Sequence, residues 1–261
     1  MKQVYFLSGL PRSGSTVLAA ILNQNPSVYV TPTSPLLDQL ISNQNIWHSL
    51  QTVKANPVPD QLTNITRKMI DGIWSHRKEP IILDKNRGWG KNMPASTILF
   101  EKPIKMIATT RDLPSIMASW LTLLHKNPNS YMRKNLADKY VEYSDQNMMA
   151  EMWFNMVKDC MEALLQAKKD ASDRLFLIPY DELVSNPQEV IEGVTHFLNL
   201  PAFNYDFNSI HNDTQDDDLA AWGLVGMHSI RSKLEKTCKS PIEILGESLY
   251  NRFLGLEKNY E

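Results

Sequence analysis

Four short apolar runs punctuate the chain, at Val4 to Leu7, Ile81 to Leu83, Ile104 to Ala108 and Leu175 to Ile178. None alternates apolar with polar residues. That is the pattern of strands buried on both faces, so the runs predict a mostly parallel sheet. Segments with helical punctuation lie between them. Ser15 to Asn23 is stopped by Asn25 and Pro26, and Asn186 with Pro187 opens a segment whose Val190, Ile191, Val194, Phe197 and Leu198 share one helical face. Ser240, Pro241 and Glu243 start a last helix, with Ser240 and Glu243 at capping-box spacing. From Ser144 to Lys169, Met149, Met152, Trp153, Met156, Val157, Cys160 and Leu164 recur at near-helical intervals and predict one long helix with this stripe in the core. Phe203 to Met227 holds Asp206, Asp213, Asp216, Asp217 and Asp218, lacks Lys and Arg, and reads as a long acidic loop.

The resulting class is α/β, a mostly parallel central sheet flanked by helices. The 261 residues are read as one domain, 1–261, although two smaller domains also fit a prior of about 150 residues each. A hydrophobic share of 43% and a charged share of 21% exclude disordered, collagen-like and coiled-coil classes. Lys and Arg total 27 against 29 Asp and Glu, a net charge of -2, so there is no global field for a nucleic-acid backbone or an anionic membrane. Any anion has to be bound by a local arrangement. Cys160 and Cys238 have no metal-ligand spacing and are expected as two reduced thiols. Met1 to Leu10 lacks the pattern of a secretory leader, and no apolar stretch approaches the roughly 20 residues that span a bilayer. A cytoplasmic chain with no membrane insertion is the expectation; the oligomeric state is left open.

The chemistry concentrates in Gly9-Leu10-Pro11-Arg12-Ser13-Gly14-Ser15-Thr16, between a predicted buried strand and a predicted helix. Glycines let such a turn approach a ligand closely, backbone N–H groups converge in it, and the helix N-terminus adds roughly half a positive charge. Gly9 and Gly14 have the spacing of a nucleotide-binding phosphate loop, but Ser15 stands where an NTPase places its Lys. The cation sits at Arg12 instead, inside the turn, with a fork of donors suited to a sulfuryl or phosphoryl oxygen.

With Pro11 to Thr16 in view, the chain resembles the sulfotransferases that use 3'-phosphoadenosine 5'-phosphosulfate (PAPS), a family with a P-loop NTPase-like fold. Its 5'-phosphosulfate loop reads Pro-Lys/Arg-Ser-Gly-Thr/Ser-Thr, and this loop is closer to the tyrosyl-protein and bacterial type than to the cytosolic type. Thr110-Arg111-Asp112-Leu113-Pro114-Ser115-Ile116-Met117-Ala118-Ser119-Trp120 is similar to the family's 3'-phosphate segment, an Arg at a strand end and a Ser eight residues later. About two helical turns separate a strand-end Arg111 from Ser119, so both can meet one phosphate. Phe176 to Pro187 resembles the family's Tyr-Glu-Asp-Leu segment, which implies Tyr180 as a cofactor contact. His228-Ser229-Ile230-Arg231-Ser232-Lys233 resembles the basic segment that closes over the 3'-phosphate, which implies Arg231 first.

The resemblance thus implies a PAPS site built from Pro11, Arg12, Ser13, Gly14, Ser15, Thr16, Arg111, Ser119, Tyr180 and Arg231. It also implies in-line sulfuryl transfer to a hydroxyl or amine, releasing 3'-phosphoadenosine 5'-phosphate. Arg12 and Lys85, the latter within Asp84-Lys85, are the cationic catalytic candidates. Family members use a His or a downstream Glu as base, and Val30 to Asp38 holds no Glu; Asp38 and Asp84 are the carboxylate candidates. No metal is expected, because no His, Cys or carboxylate cluster has ligand spacing. Two alternatives stay open: a P-loop kinase or NTPase with Asp112 at magnesium, and a non-catalytic nucleotide sensor.

Overall fold

The structure is a computed structural model and describes residues 2–134, 144–212, 217–235 and 239–260. Asp213, Asp216 and Cys238 lie outside the described residues.

Among them a five-stranded sheet forms from β1 (Gln3–Gly9), β2 (Val28–Val30), β3 (Ile81–Lys85), β4 (Met106–Thr110) and β5 (Leu175–Pro179), in the order β2-β3-β1-β4-β5. Every neighbouring pair is parallel. The chain steps from β1 outward to β2, returns through β3, then crosses to β4 on the far side of β1. All five carboxyl ends therefore open on one edge, and ligands in open α/β sheets collect at that edge.

Both faces of the sheet are covered, which explains the unbroken apolar runs. Tyr5 and Leu7 of β1, Leu83, Ile107 and Ile178 pack under the Ser15–Leu22 and Pro187–Leu198 helices. Val4, Phe6, Ile82 and Met106 face the opposite way, against Leu36, Leu40, Ile70, Trp74, Trp89 and Met93. Beside that layer, the Leu113–Lys126 and Pro241–Glu257 helices and the methionine-rich segment form one further cluster. Phe6 and Trp89 stack with centroids 3.8 Å apart and planes 5° from parallel, fixing the turn after β3 to the centre of the sheet.

The structure differs from the sequence reading in several places. β2 is an additional strand, with only three residues, too short to register as an apolar run. β4 begins at Met106 rather than Ile104, although Ile104 is buried. The 144–169 segment is helical from Asp145 to Met152 and from Lys158 to Asp170, joined by a π-helical turn at Trp153–Val157. Its stripe lies in the core as expected, and the extra residue of the turn absorbs the irregular spacing. Within the acidic loop, Asp218–Trp222 is a short helix, because Asp217 Oδ1 accepts from Ala220 N at 3.0 Å and Gly223 closes it at φ 64°. Ser240 is the N-cap of the Pro241–Glu257 helix, but its hydroxyl makes no capping bond there. None of the helices is long and apolar enough to cross a membrane among the described residues.

Gly9 illustrates how tightly the site is built into the sheet. Its φ is +132°, and a Cβ there would lie 2.5 Å from the Thr109 carbonyl oxygen of β4. Gly9→Ala combines a disfavoured backbone region with a collision against backbone, and should cost more than about 2 kcal/mol. Denaturant unfolding of the two chains checks this; an unchanged midpoint would contradict it.

Candidate functional site

The loop after β1 is held from below. Leu10 N donates to Thr109 O at 2.9 Å, and the fully buried Ser13 hydroxyl lies 2.5 Å from Leu10 O and 2.6 Å from Thr109 Oγ1. Arg12 at φ 60° and Gly14 at φ 93° turn the chain into the Ser15–Leu22 helix, whose N-cap Gly14 carries no side-chain cap. First-turn N–H groups of a helix have no partner within it, so this end presents donors to the carboxyl edge of the sheet. Ser13 serves the loop's own scaffold, and Pro11 is buried behind it.

Three arginines converge above this loop. The Arg12 guanidinium donates through Nε to Ser119 Oγ at 3.0 Å and through Nη1 to the Met227 carbonyl. Arg111 Nη1 donates to the Arg12 carbonyl at 3.1 Å, and its guanidinium lies 4.4 Å from the Tyr180 ring centroid. Tyr180 in turn packs on Gly14, where a Cβ would come within 2.8 Å of its ring. Burial, with the nearby charges of Arg111 and Arg87, pushes Arg12 down to about 10, opposed by Asp218 and Tyr180. Burial and like charges both disfavour the charged form of Arg12, and an anion beside it would offset them.

Lys85 ends β3. It is buried, and its Nζ lies 3.4 Å from Thr16 Oγ1 at the start of the loop helix. Its backbone is clamped by the Thr31 hydroxyl on N at 2.8 Å and by Ser34 N on O at 2.9 Å. Neighbouring Asp84 is fully buried, accepting from Trp89 Nε1 at 2.6 Å and from the Ser34 hydroxyl. Both of its oxygens are engaged, so Asp84 ties the post-β2 loop and the post-β3 turn together around Lys85. Asp38 is exposed, and its Oδ2 accepts from Asn86 Nδ2 at 3.2 Å.

A cleft of about 460 Å³ joins these pieces, a size suited to a cofactor. Arg12, Gly14, Ser15, Thr16, Arg111, Ser119, Tyr180 and Arg231 line it. Pro11, Ser13, Lys85, Asp38 and Asp84 are not among its lining residues. Arg87, Thr122 and Lys126, none of them among the site residues expected from the sequence, also line it. Helical periodicity carries the signal for the last two, since Ser119, Thr122 and Lys126 recur at intervals of three and four on one face. Asp112, assigned to magnesium in the phosphotransfer alternative, caps the Leu113–Lys126 helix by accepting from Ser115 N at 2.8 Å. A cavity of about 590 Å³ at the opposite, amino-terminal edge is lined by Lys2, Arg67 and Lys102 together with Asp71 and Glu101; there Arg67 pairs with Glu101 and Lys2 donates to the Arg77 and Glu79 carbonyls.

Comparison with known proteins points in one direction. A model described as the sulfotransferase family matches residues 5–205. A candidate protein-tyrosine sulfotransferase of Caenorhabditis briggsae is 22% identical over 201 residues, 76% of this chain and 66% of that relative, so the chain spans just under two thirds of its length. A solved sulfotransferase domain from the curacin biosynthetic pathway aligns with TM-score 0.54 and 16% identity, over 99% of this chain and 98% of that one. A Mycobacterium tuberculosis sulfotransferase aligns with TM-score 0.51 and 15% identity, over 79% and 72%. At these identities the solved structures share the fold.

Asp84 makes a pH test available. Burial pushes its carboxyl up to about 6, against the lowering effect of the Ser34 and Trp89 hydrogen bonds. The folded value exceeds the unfolded one of about 4, so this group's contribution to stability falls as pH rises through that window. Relative to Asp84→Asn, the wild type should gain on the order of 2–3 kcal/mol as pH drops from 7 to 4. Denaturant unfolding of both chains across that range reads it, and a pH-independent difference would contradict the assignment.

Proposed function

The chain belongs to the sulfotransferase family, and from that premise we propose that it moves a sulfuryl group from PAPS to a hydroxyl or amine acceptor. The observation that carries the reading is the meeting of Arg12, Arg87 and Arg111 over an uncapped helix N-terminus at the sheet's carboxyl edge. The donor set suits the ligand: guanidinium forks, hydroxyls and backbone N–H groups all recognise oxyanions, and they are distributed over a cleft rather than at one point.

Two cradles follow from this distribution. The N–H groups of Gly14 to Thr16, with Arg12 and Lys85, would hold the 5'-phosphosulfate. Arg111, Ser119 and Arg231 would hold the 3'-phosphate, with Thr122 and Lys126 extending that cradle along the same helix face. Tyr180 supports Arg111 from below and packs on the loop at Gly14, so it keeps the two cradles in register. The bound donor supplies the sulfuryl group and leaves as 3'-phosphoadenosine 5'-phosphate.

The chain's own contribution is positioning and charge neutralisation, the main levers in such group transfers. Arg12 is already desolvated, so its charge acts with little screening on a departing phosphate oxygen. Lys85 is fixed at the loop helix by its clamped backbone and offers the second cation. Asp38 takes the acceptor's proton: its carboxylate is exposed, whereas both oxygens of Asp84 are engaged inside the fold. One domain carrying both cradles is part of this reading.

Labelled PAPS offered with phenol, alcohol and amine acceptors tests the reaction. Label should appear in an acceptor and persist in a metal chelator; no label transfer together with ATP turnover that stops on chelation would favour phosphotransfer chemistry, and tight nucleotide binding with neither would favour a sensor. Arg111→Ala should weaken adenosine 3',5'-bisphosphate roughly 10- to 100-fold, the scale of one charge-assisted contact, while adenosine 5'-phosphate changes little. Calorimetric titration measures both, and equal losses would remove Arg111 from the 3'-phosphate.

A further inference from the structure

The segment that crosses over the cleft, Gly226 to Lys233, is anchored by a pair of residues ten positions apart. Asp218 Oδ2 accepts from the His228 backbone N–H at 2.7 Å, and Asp218 Oδ1 lies 2.5 Å from His228 Nδ1. The two side chains are 11% and 9% exposed, so the pair is almost wholly inside the protein. A carboxylate accepting from backbone and ring of one residue fixes both its position and its orientation.

The residue next to His228 touches the reaction machinery. Met227 is 3% exposed, and its carbonyl accepts from Arg12 Nη1. The Nε of the same side chain donates to Ser119 Oγ on the Leu113–Lys126 helix. The end of the same helix grips the crossing segment: Val225 N donates to Asn127 Oδ1 at 2.7 Å, and Asn127 Nδ2 donates to Val225 O at 3.2 Å. Gly223 at φ 64° and Gly226 at φ 80° fold the chain back so that both attachments are made. Farther along, Ile210 N donates to Ser232 O at 2.8 Å.

We propose that Asp218 and His228 are positioning residues for Arg12, a clasp that fixes the Met227 carbonyl and so the direction in which the loop guanidinium points. The inference rests on the donor site proposed above and adds to it a residue pair of which His228 also lines the cleft. Asp218 also opposes, by its charge, the depression of Arg12 by Arg111 and Arg87, which agrees with its proximity. An unclasped segment leaves Arg12 without its carbonyl acceptor and spreads it over more rotamers, which costs binding and turnover together.

Electrostatics alone predicts the opposite sign for the key variant, which makes the test sharp. Removing a negative charge beside an anion cleft tightens anion binding if Asp218 acts only through its field. Under the clasp, Asp218→Asn weakens adenosine 3',5'-bisphosphate about tenfold in calorimetric titration, the scale of one charge-assisted hydrogen bond. In an Arg12→Lys background the same substitution should change affinity by less than about twofold, because the group being positioned is already altered. His228→Ala keeps the backbone half of the clasp and should give a smaller loss with the same dependence on Arg12; it serves if Asp218→Asn does not fold by circular dichroism. With an acceptor in hand, kcat should fall alongside the rise in KM for PAPS. Unchanged or tighter binding in Asp218→Asn, or equal losses in both backgrounds, overturns the clasp alone. Equal wild-type affinity for adenosine 3',5'-bisphosphate and adenosine 5'-phosphate overturns the donor site, and the clasp with it.

Discussion

Burial of the Arg12 guanidinium beside two other guanidinium groups, Arg111 and Arg87, organises this molecule's functional edge. Arg12, Arg87 and Arg111 come from three different strand ends, and in bulk water they would stay apart. The fold holds Arg12 in a largely desolvated position where its charge is disfavoured. Such an arrangement is costly by itself and would be offset by an anion, which is the physical basis of the polyanion site proposed above. A chain of net charge -2 achieves this locally, with no basic surface elsewhere required.

The parallel sheet is what makes the concentration possible. Because β1, β3, β4 and β5 run the same way, the Gly9–Gly14 turn, Lys85, Arg111 and Tyr180 all leave the sheet at one edge. The supports are then local and specific. Ser13 and Gly9 seat the loop on Thr109, Asp84 draws two loops around Lys85, and Tyr180 carries Arg111 against Gly14. Asp84 is a buried acid of raised pKa whose two oxygens both accept hydrogen bonds from within the fold.

Much of this was legible in the chain. Strands buried on both faces leave continuous apolar runs, so β1, β3, β4 and β5 are visible, whereas three residues of β2 are not. The Pro11 to Thr16 loop is legible because glycine, arginine and hydroxyl residues at fixed offsets have few other uses after a buried strand. Arg111 and Ser119 stand out through the resemblance to the family's 3'-phosphate segment, and both line the cleft. Arg87 and Lys126 escaped because an isolated cation reads as a solvated one until its neighbours are known. The Asp218–His228 pair escaped for a related reason: one partner sits in an acidic run and the other in a basic one, and only the left-handed turns at Gly223 and Gly226 bring them together.

In the proposed function, one adenosine ligand is gripped at two ends by separate oxyanion cradles. Calorimetric titration of the wild-type chain with adenosine 3',5'-bisphosphate, adenosine 5'-phosphate and adenosine 3'-phosphate tests it most directly. Two cooperating cradles predict that the bisphosphate binds at least about 100-fold more tightly than either monophosphate. A bisphosphate affinity within about threefold of one monophosphate would mean a single cradle, and would contradict the two-ended grip.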